Sequence, residues 1–172
     1  EHLGRDLYRE TFGNGRCLKQ MFDGPLGLML PNGELPALGD CYTNRTPLWN
    51  RGHLYEIAYA VYRDPRYAWL LSRGGRRESV TALLYGVDNF DAPAAPAARS
   101  RVWIEHGYAL LTSRDGDDYW SADAGEPTVA VLTGDLSGVH HHRDSLSLQV
   151  FADGRLWTED VESRALATNG FS

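Results

Sequence analysis

Cysteine is scarce in this chain: Cys17 and Cys41 are the two among 172 residues, too few to define a disulfide framework. Pairing would need an oxidising compartment, and two buried free thiols are the simpler expectation. Long apolar runs are missing too, so no segment reaches the length of a membrane span. Positive charge is in deficit. Lys and Arg number 17 against 23 Asp and Glu, a net charge of −6, so nothing supports nucleic-acid binding through a basic surface. An anionic substrate would need arginines gathered locally, because the overall field repels it weakly. The opening Glu1-His-Leu-Gly-Arg-Asp lacks the charged-then-apolar pattern of a signal peptide. With no initiator Met and an abrupt polar end at Asn169-Gly-Phe-Ser172, the expectation is a fragment cut at both ends. Its length suits one ordinary domain or two small pieces. The sequon Asn44-Arg45-Thr46 is a frequent chance match that matters only in a eukaryotic secretory route.

What is present divides into two textures. Residues 2–30 read as helical, with Leu3, Leu7 and Tyr8 in one stripe and Cys17, Leu18, Met21 and Phe22 in the next. Gly13-Asn14-Gly15 interrupts them and Pro25 resets the pattern. The segment Leu30-Pro-Asn-Gly-Glu-Leu-Pro-Ala-Leu-Gly-Asp40 is a loop set by its prolines and glycines. It reads either as a helix-to-helix connection or as a cleft-lining loop that presents Asp40, Tyr42 and Arg45; for Asp40 a turn or cap role is simpler. Asn50 is placed to cap a helix from Arg51 to Arg63, with Leu54, Ile57, Ala58, Val61 and Tyr62 on one face and Tyr55 and Tyr59 flanking it as packing residues. Asp64-Pro65 is a cap followed by proline at the first helical position, so a short helix starts there. Another runs from Glu78 to Tyr85 and stops at Gly86.

Residues 89–100, rich in Pro and Ala, carry no periodicity and mark a domain boundary. Strand patterns follow at residues 102–105, 108–112, 128–133, 145–151 and 155–161, separated by turn signals such as Asp153-Gly154, as in an antiparallel sandwich. Between the third and fourth strands stand three consecutive histidines, His140, His141 and His142, then Arg143 and Asp144. Imidazole is a metal ligand or a proton-transfer group near neutral pH. In an extended segment, positions 140 and 142 share a side. Isolated histidines are usually surface or packing residues, but three in a row ahead of an amphipathic strand read as a site.

The block His140-x-His142-x-Asp144-x-x-Ser147, followed by Gly154 and Asp160, resembles the signature of the heparinase II/III-like polysaccharide lyases. Leu30–Asp40 and the stretch His53–Tyr67 resemble the end of that family's helical toroid, so the likeness covers most of the chain. It implies an α+β protein: residues 1–88 the end of an incomplete (α/α) toroid, 89–100 a linker, and 101–172 the start of an antiparallel β-sandwich. It also implies an acidic polysaccharide partner, alginate or glycosaminoglycan in type, cleaved by β-elimination at a uronate in a periplasmic or secreted enzyme. That chemistry needs a base for the C5 proton, a group that neutralises the adjacent carboxylate, and an acid for the leaving oxygen. By the resemblance, His140 is the neutraliser or proton-transfer partner, and His142 and Asp160 ligate a divalent metal, zinc foremost. Arg143 and Asp144 support those ligands or touch substrate, and Tyr42, Arg45 and Arg143 are the candidate substrate contacts. The family's catalytic tyrosine, with its Asn or His partner, would fall before residue 1, and a third metal-binding histidine beyond residue 172. Tyr8 alone is early enough to compete, and it sits in a plain helical stripe. The chain alone is therefore expected to lack a full metal site and full activity.

Strand geometry sets a condition on the metal pair. A two-residue turn at Asp153-Gly154 opposes positions 148 and 159, and positions 142 and 165, roughly 17 Å along the strand from residue 160 at about 3.4 Å per residue. Ligation by His142 and Asp160 together then requires a longer turn, a bulge, or histidines that fold back before the strand. Two other readings stay open. In a cupin-like metal-binding β-barrel, Gly134, His140, His142 and Gly154 fit half of the motif, but Leu146 and Ser147 stand where its glutamate belongs. A catalytically inactive carbohydrate-binding homologue would carry the same histidines.

Overall fold

A computed structural model describes residues 4–38, 46–121, 126–134 and 146–158. The elements in order are α1 (Lys19–Leu28), a 3₁₀ turn at Leu48–Arg51, α2 (His53–Tyr62), α3 (Pro65–Arg73), α4 (Val80–Tyr85), and strands β1 (Arg101–Trp103), β2 (Tyr108–Thr112), β3 (Val129–Thr133), β4 (Ser147–Ala152) and β5 (Arg155–Thr158). Helices followed by an antiparallel sheet make the chain α+β. It forms two compact units, one of Glu1–Leu28 with Pro47–Pro96, the other of Met29–Thr46 with Ala97–Ser172. Residues 29–46, read with the helical half in the sequence, thus group with the strands. The Pro/Ala stretch is also split. Its first part is held by the helices: Phe90 lies edge-on to Tyr59, the Asp91 N–H donates to the Tyr59 hydroxyl at 2.8 Å, and the Ala94 N–H donates to the Pro65 carbonyl.

Residues 4–16 form turns in place of the expected helix. Asp6 Oδ1 accepts from the Tyr8 N–H and Asn14 Oδ1 from the Arg16 N–H, local bonds that compete with a helical ladder. Pro25 lies inside α1, which continues to Leu28 while Leu26 is buried. Cys17 is a free thiol and half-buried, less enclosed than expected; Cys41 lies outside the described residues. Gly52, not Asn50, precedes α2, and Asn50 belongs to the 3₁₀ turn. The buried face of α2 is Tyr55, Glu56, Ala58 and Tyr59, rotated from the aliphatic stripe, and Leu54 is 52% exposed. Partners explain the rotation. The Tyr55 hydroxyl donates to the Phe22 carbonyl at 3.0 Å, and Arg77 engages Glu56 through both oxygens, so bulky side chains with polar tips are satisfied inside.

The Asp64 cap is present as its residue type predicts: the side chain accepts from the Arg66 N–H, and Pro65 opens α3. Asp64 and Asp23 share the cations Lys19 and Arg66, and the Tyr67 hydroxyl donates to Asp23 at 2.7 Å. Around this network Phe22, Tyr55, Tyr62 and Tyr67 pack with ring centroids 5.5 to 6.4 Å apart. The cluster is structural: every polar tip in it points at a neighbour.

The second unit is a five-stranded antiparallel meander in the order β1-β2-β3-β4-β5. Its inner face buries Leu110, Val129, Val131 and Phe151 against Leu30 and Tyr119. The Tyr119 hydroxyl donates to the Met29 carbonyl at 2.8 Å, fixing the start of the Leu30–Leu38 segment. On the outer face Ala109, Leu132 and Leu148 lie side by side, as do Leu111, Ala130 and Val150. Leu111 is 46% and Leu148 48% exposed, so the sheet is apolar on both sides.

Candidate functional site at one end of the sheet

None of the six site residues singled out from the sequence falls among the described residues: His140, Tyr42, Arg45, Arg143, His142 and Asp160 all lie outside them. The same holds for Asp40, His141 and Asp144. What the structure defines is where the segments bearing them are attached.

The histidine-bearing stretch joins β3 to β4. Those strands pair from Val129↔Phe151 to Thr133↔Ser147, so the stretch departs from the Thr133/Ser147 end of the sheet. Tyr108 of β2 is opposite Thr133 there, and Trp103 of β1 is opposite Tyr108. Both anchors of the stretch are unusual. Gly134 donates its N–H to the Gly107 carbonyl at 2.6 Å, and a Cβ on Gly134 would stand 3.2 Å from that oxygen, so the two backbones meet where a side chain would crowd them. Leu146 has φ +65°, a left-handed conformation that a Leu adopts at a cost of about 1–2 kcal/mol. Such strain concentrates at functional segments.

The segment that leads to Tyr42 and Arg45 is attached at the middle of the β3–β4 ladder. The Gln149 side chain is 1% exposed and faces the inner side of β4, two residues from Ser147. Its Oε1 accepts from the Ala37 N–H at 3.0 Å while its Nε2 donates to the Ala37 carbonyl. One amide thus satisfies both peptide groups of Ala37, as a neighbouring strand would. Leu38 packs against the core beside it. In chain order the segment still lies between α1 and the 3₁₀ turn, but residues 30–38 pack on the sheet, held by Gln149, Tyr119 and the core.

The condition set on the metal pair concerns the β4–β5 hairpin. Its turn has the two residues expected, with Asp153 at φ 50° and Gly154 at φ 74°, the primed geometry that suits a twisted hairpin. Ala152 pairs with Arg155 and Phe151 with Leu156, but Val150 pairs with Thr158, a bulge that shifts the register by one residue. Thr158 stabilises it: Oγ1 accepts from the Val150 N–H at 3.0 Å and donates to the Leu148 carbonyl at 2.9 Å. A bulge is one of the three alternatives for joint ligation by His142 and Asp160, but a shift of one residue in this direction does not by itself close a separation of roughly 17 Å along the strand. Nothing in the strand pattern marks the bulge beyond a threonine near the turn. Among the described residues, no three His, Cys, Asp or Glu side chains gather as a metal site.

Burial raises the pKa of Tyr108 at this end of the sheet, and of Tyr119 in the core, so both hydroxyls remain protonated near neutral pH. The helical unit contains a separate cleft of about 340 Å³ beside Trp49, His53 and Glu56. Its arginines are engaged: Arg77 by Glu56 and Arg76 by Glu78. No described helix is long and apolar enough to cross a membrane.

No protein-family model matches the sequence, and no curated protein matches it significantly. The fold itself is that of a segment of the polysaccharide lyases. A heparinase III with methylated lysines matches with a TM-score of 0.59 at 14% identity, over 84% of this chain and 19% of its own. The crystal structure of heparan sulfate lyase HepC from Pedobacter heparinus matches with a TM-score of 0.57 at 20% identity, over 83% of this chain and 18% of its own. This chain spans about a fifth of the length of these structures. The resemblance to heparinase II/III-like lyases, drawn from the loop, the helix and the histidine block, holds at the level of the fold. A cupin-like barrel is not favoured: the five described strands run as a sequential meander, without the crossed order of a jelly roll.

Proposed function

We propose that this chain is part of a polysaccharide lyase that cleaves a uronate-containing acidic polymer by β-elimination, in the periplasm or outside the cell. The observation that carries the proposal is the fold shared with two such lyases over more than four-fifths of the chain. The helical unit is then the end of an incomplete (α/α) toroid. The sheet is then one layer of a β-sandwich, and its apolar outer face is what a second layer would cover. The Leu30–Leu38 segment, which leads to Tyr42 and Arg45, and the strands that lead to the histidine stretch belong to the same unit, which is compatible with a shared site.

In this reading the C5 proton leaves the uronate, the electron pair forms the C4–C5 double bond, and the C4–O bond breaks with the oxygen taking up a proton. His140 neutralises the uronate carboxylate or passes the proton, because an imidazolium beside that carboxylate stabilises the developing carbanion. Tyr42, Arg45 and Arg143 hold the polymer, arginine pairing with a carboxylate in bidentate fashion. Imidazole and carboxylate donors suit zinc, so His142 and Asp160, by the resemblance, are the residues that would hold a divalent metal. When bound, that ion supplies structural cross-linking of the site. The base, and a third metal-binding histidine, would come from parts of the longer protein, and the 172-residue chain alone gives no turnover.

The test is ultraviolet absorbance of the unsaturated uronate product, using the full-length protein on alginate and on glycosaminoglycans. Wild type is expected to generate absorbance on at least one polymer, and His140→Ala to abolish it. No absorbance from any acidic polymer would put a carbohydrate-binding module ahead.

A further inference from the structure

We infer that the cleft of the helical unit is a carbohydrate site that takes a single uronic acid unit. The inference rests on the lyase reading above for the class of ligand only. The cleft lies beside the 3₁₀ turn Leu48–Arg51, the first turn of α2 and the chain that leaves α3. It measures about 340 Å³, at the small end of ligand clefts, which start near about 300 Å³, and so suits one sugar unit rather than a run of them. Trp49 forms one wall. Its ring meets Trp69 edge-on with centroids 6.4 Å apart, and the Arg73 guanidinium lies over both rings, 5.5 Å from Trp49 and 4.5 Å from Trp69, which holds the indole in place. The negative face of an indole attracts the polarised C–H bonds of a pyranose ring. Gly74 and Gly75 form another wall. A Cβ on Gly74 would stand 2.7 Å from the Trp49 carbonyl, so close packing demands glycine there. At Gly75 nothing lies within 4 Å of the corresponding position and φ is not left-handed, so neither packing nor backbone demands glycine, and the bare position keeps the cleft open.

Charge decides the ligand. Glu56 is neutralised by Arg77, which binds it through Nε and Nη2. Arg76 differs: it is 87% exposed and its partner Glu78 64%, so their 2.8 Å contact is a weak surface pair that a ligand anion displaces at little cost. Around the cleft Arg73, Arg76 and Arg77 stand against Glu56 and Glu78, a local excess of one positive charge in a chain of net −6. This is the local gathering of arginines that an anionic ligand needs. A planar guanidinium pairs with a carboxylate in bidentate fashion, and Asn50 and His53, which line the same cleft, offer polar atoms for the hydroxyls of the ring.

The experiment is saturation-transfer NMR on the full-length protein with glucuronate, which has no glycosidic bond for a lyase to break, and with glucose as the uncharged control. Glucuronate is expected to bind about tenfold more tightly than glucose, because only the acid meets Arg76. Arg76→Ala, at a surface position where substitution leaves the fold intact, should weaken glucuronate binding about tenfold and leave glucose binding unchanged. Equal affinity for the two sugars, or a change under about twofold in Arg76→Ala, would overturn the inference and leave the cleft a gap in the packing. Absence of turnover by wild type on every acidic polymer would instead sink the lyase reading, and the glucuronate titrations would still decide the cleft.

Discussion

Replacing Arg77 by Met removes the counter-ion of Glu56, the one fully buried carboxylate among the described residues. Glu56 is 2% exposed, and its oxygens accept from Arg77 Nε at 2.7 Å and Nη2 at 2.5 Å; Nη1 donates to the Val87 carbonyl at 2.7 Å. Arg77 precedes α4 and Val87 follows it, so a single guanidinium ties both ends of that helix to α2. Met retains much of the aliphatic stem and its contact with the Phe90 ring, over which the guanidinium lies at 4.7 Å. Two effects compete. The arginine no longer needs to be desolvated, which helps little because its side chain is already 25% exposed. The carboxylate is left without partners where water does not reach, and breaking a buried pair from one side costs about 3–5 kcal/mol. Arg77's partial exposure places the expected loss near the low end, about 3 kcal/mol, with the lost Val87 bond contributing about 1 kcal/mol of it. Urea unfolding followed by circular dichroism measures it. The deficit should shrink between pH 7 and pH 5, because protonating an orphaned carboxylate removes the buried charge, and adding Glu56→Leu should recover most of it. A loss under about 1 kcal/mol, unchanged by pH, would refute the reasoning by showing a pair no stronger than a surface one.

Two further expectations follow from the same packing. The Arg66 guanidinium, with Lys19, holds the Asp64 carboxyl well below the usual carboxylate range. Its contribution is therefore present in full above the unfolded value near about 3.9 and lost as pH falls toward the folded one. Asp64→Asn should cost about 1 kcal/mol at pH 7, and the gap to wild type should begin to narrow only below about pH 4 and go on narrowing as the pH falls further; a gap unchanged between about pH 4 and pH 2 in urea titrations would contradict the assignment. Leu148, 48% exposed here, should be covered by the second sheet layer of the longer protein. Leu148→Asp should then lower full-length stability by about 2–3 kcal/mol in thermal unfolding, and a neutral result would remove the sandwich.

Local chemistry was legible wherever one residue type dictates one conformation. Asp64-Pro65 opened a helix because the carboxylate caps and proline suits the first turn, and Asp153-Gly154 closed a hairpin because both positions demand positive φ. All five strand patterns became strands. The face of α2 was misread because periodicity counts aliphatic carbon and cannot see that Glu56 meets Arg77 or that Tyr55 meets Phe22. The placement of residues 29–38 was equally invisible: it depends on Gln149 and Tyr119, more than eighty residues downstream. The β4–β5 bulge is a register effect stabilised by one hydroxyl, and strand alternation alone carries no mark of it. Of the candidate site, the histidine block stood out by composition, whereas the anchoring of residues 30–38 to the sheet needed the Gln149–Ala37 pair to be seen.

The central claim is elimination at a uronate, and the mass of the cleaved chains tests it most directly. Full-length protein acting on a defined acidic oligosaccharide should give two fragments whose masses sum to that of the substrate, with no water added, and His140→Ala should leave the oligosaccharide whole. Fragments whose summed mass exceeds the substrate by one water would show hydrolysis, and an undiminished rate in His140→Ala would remove the histidine from the reaction.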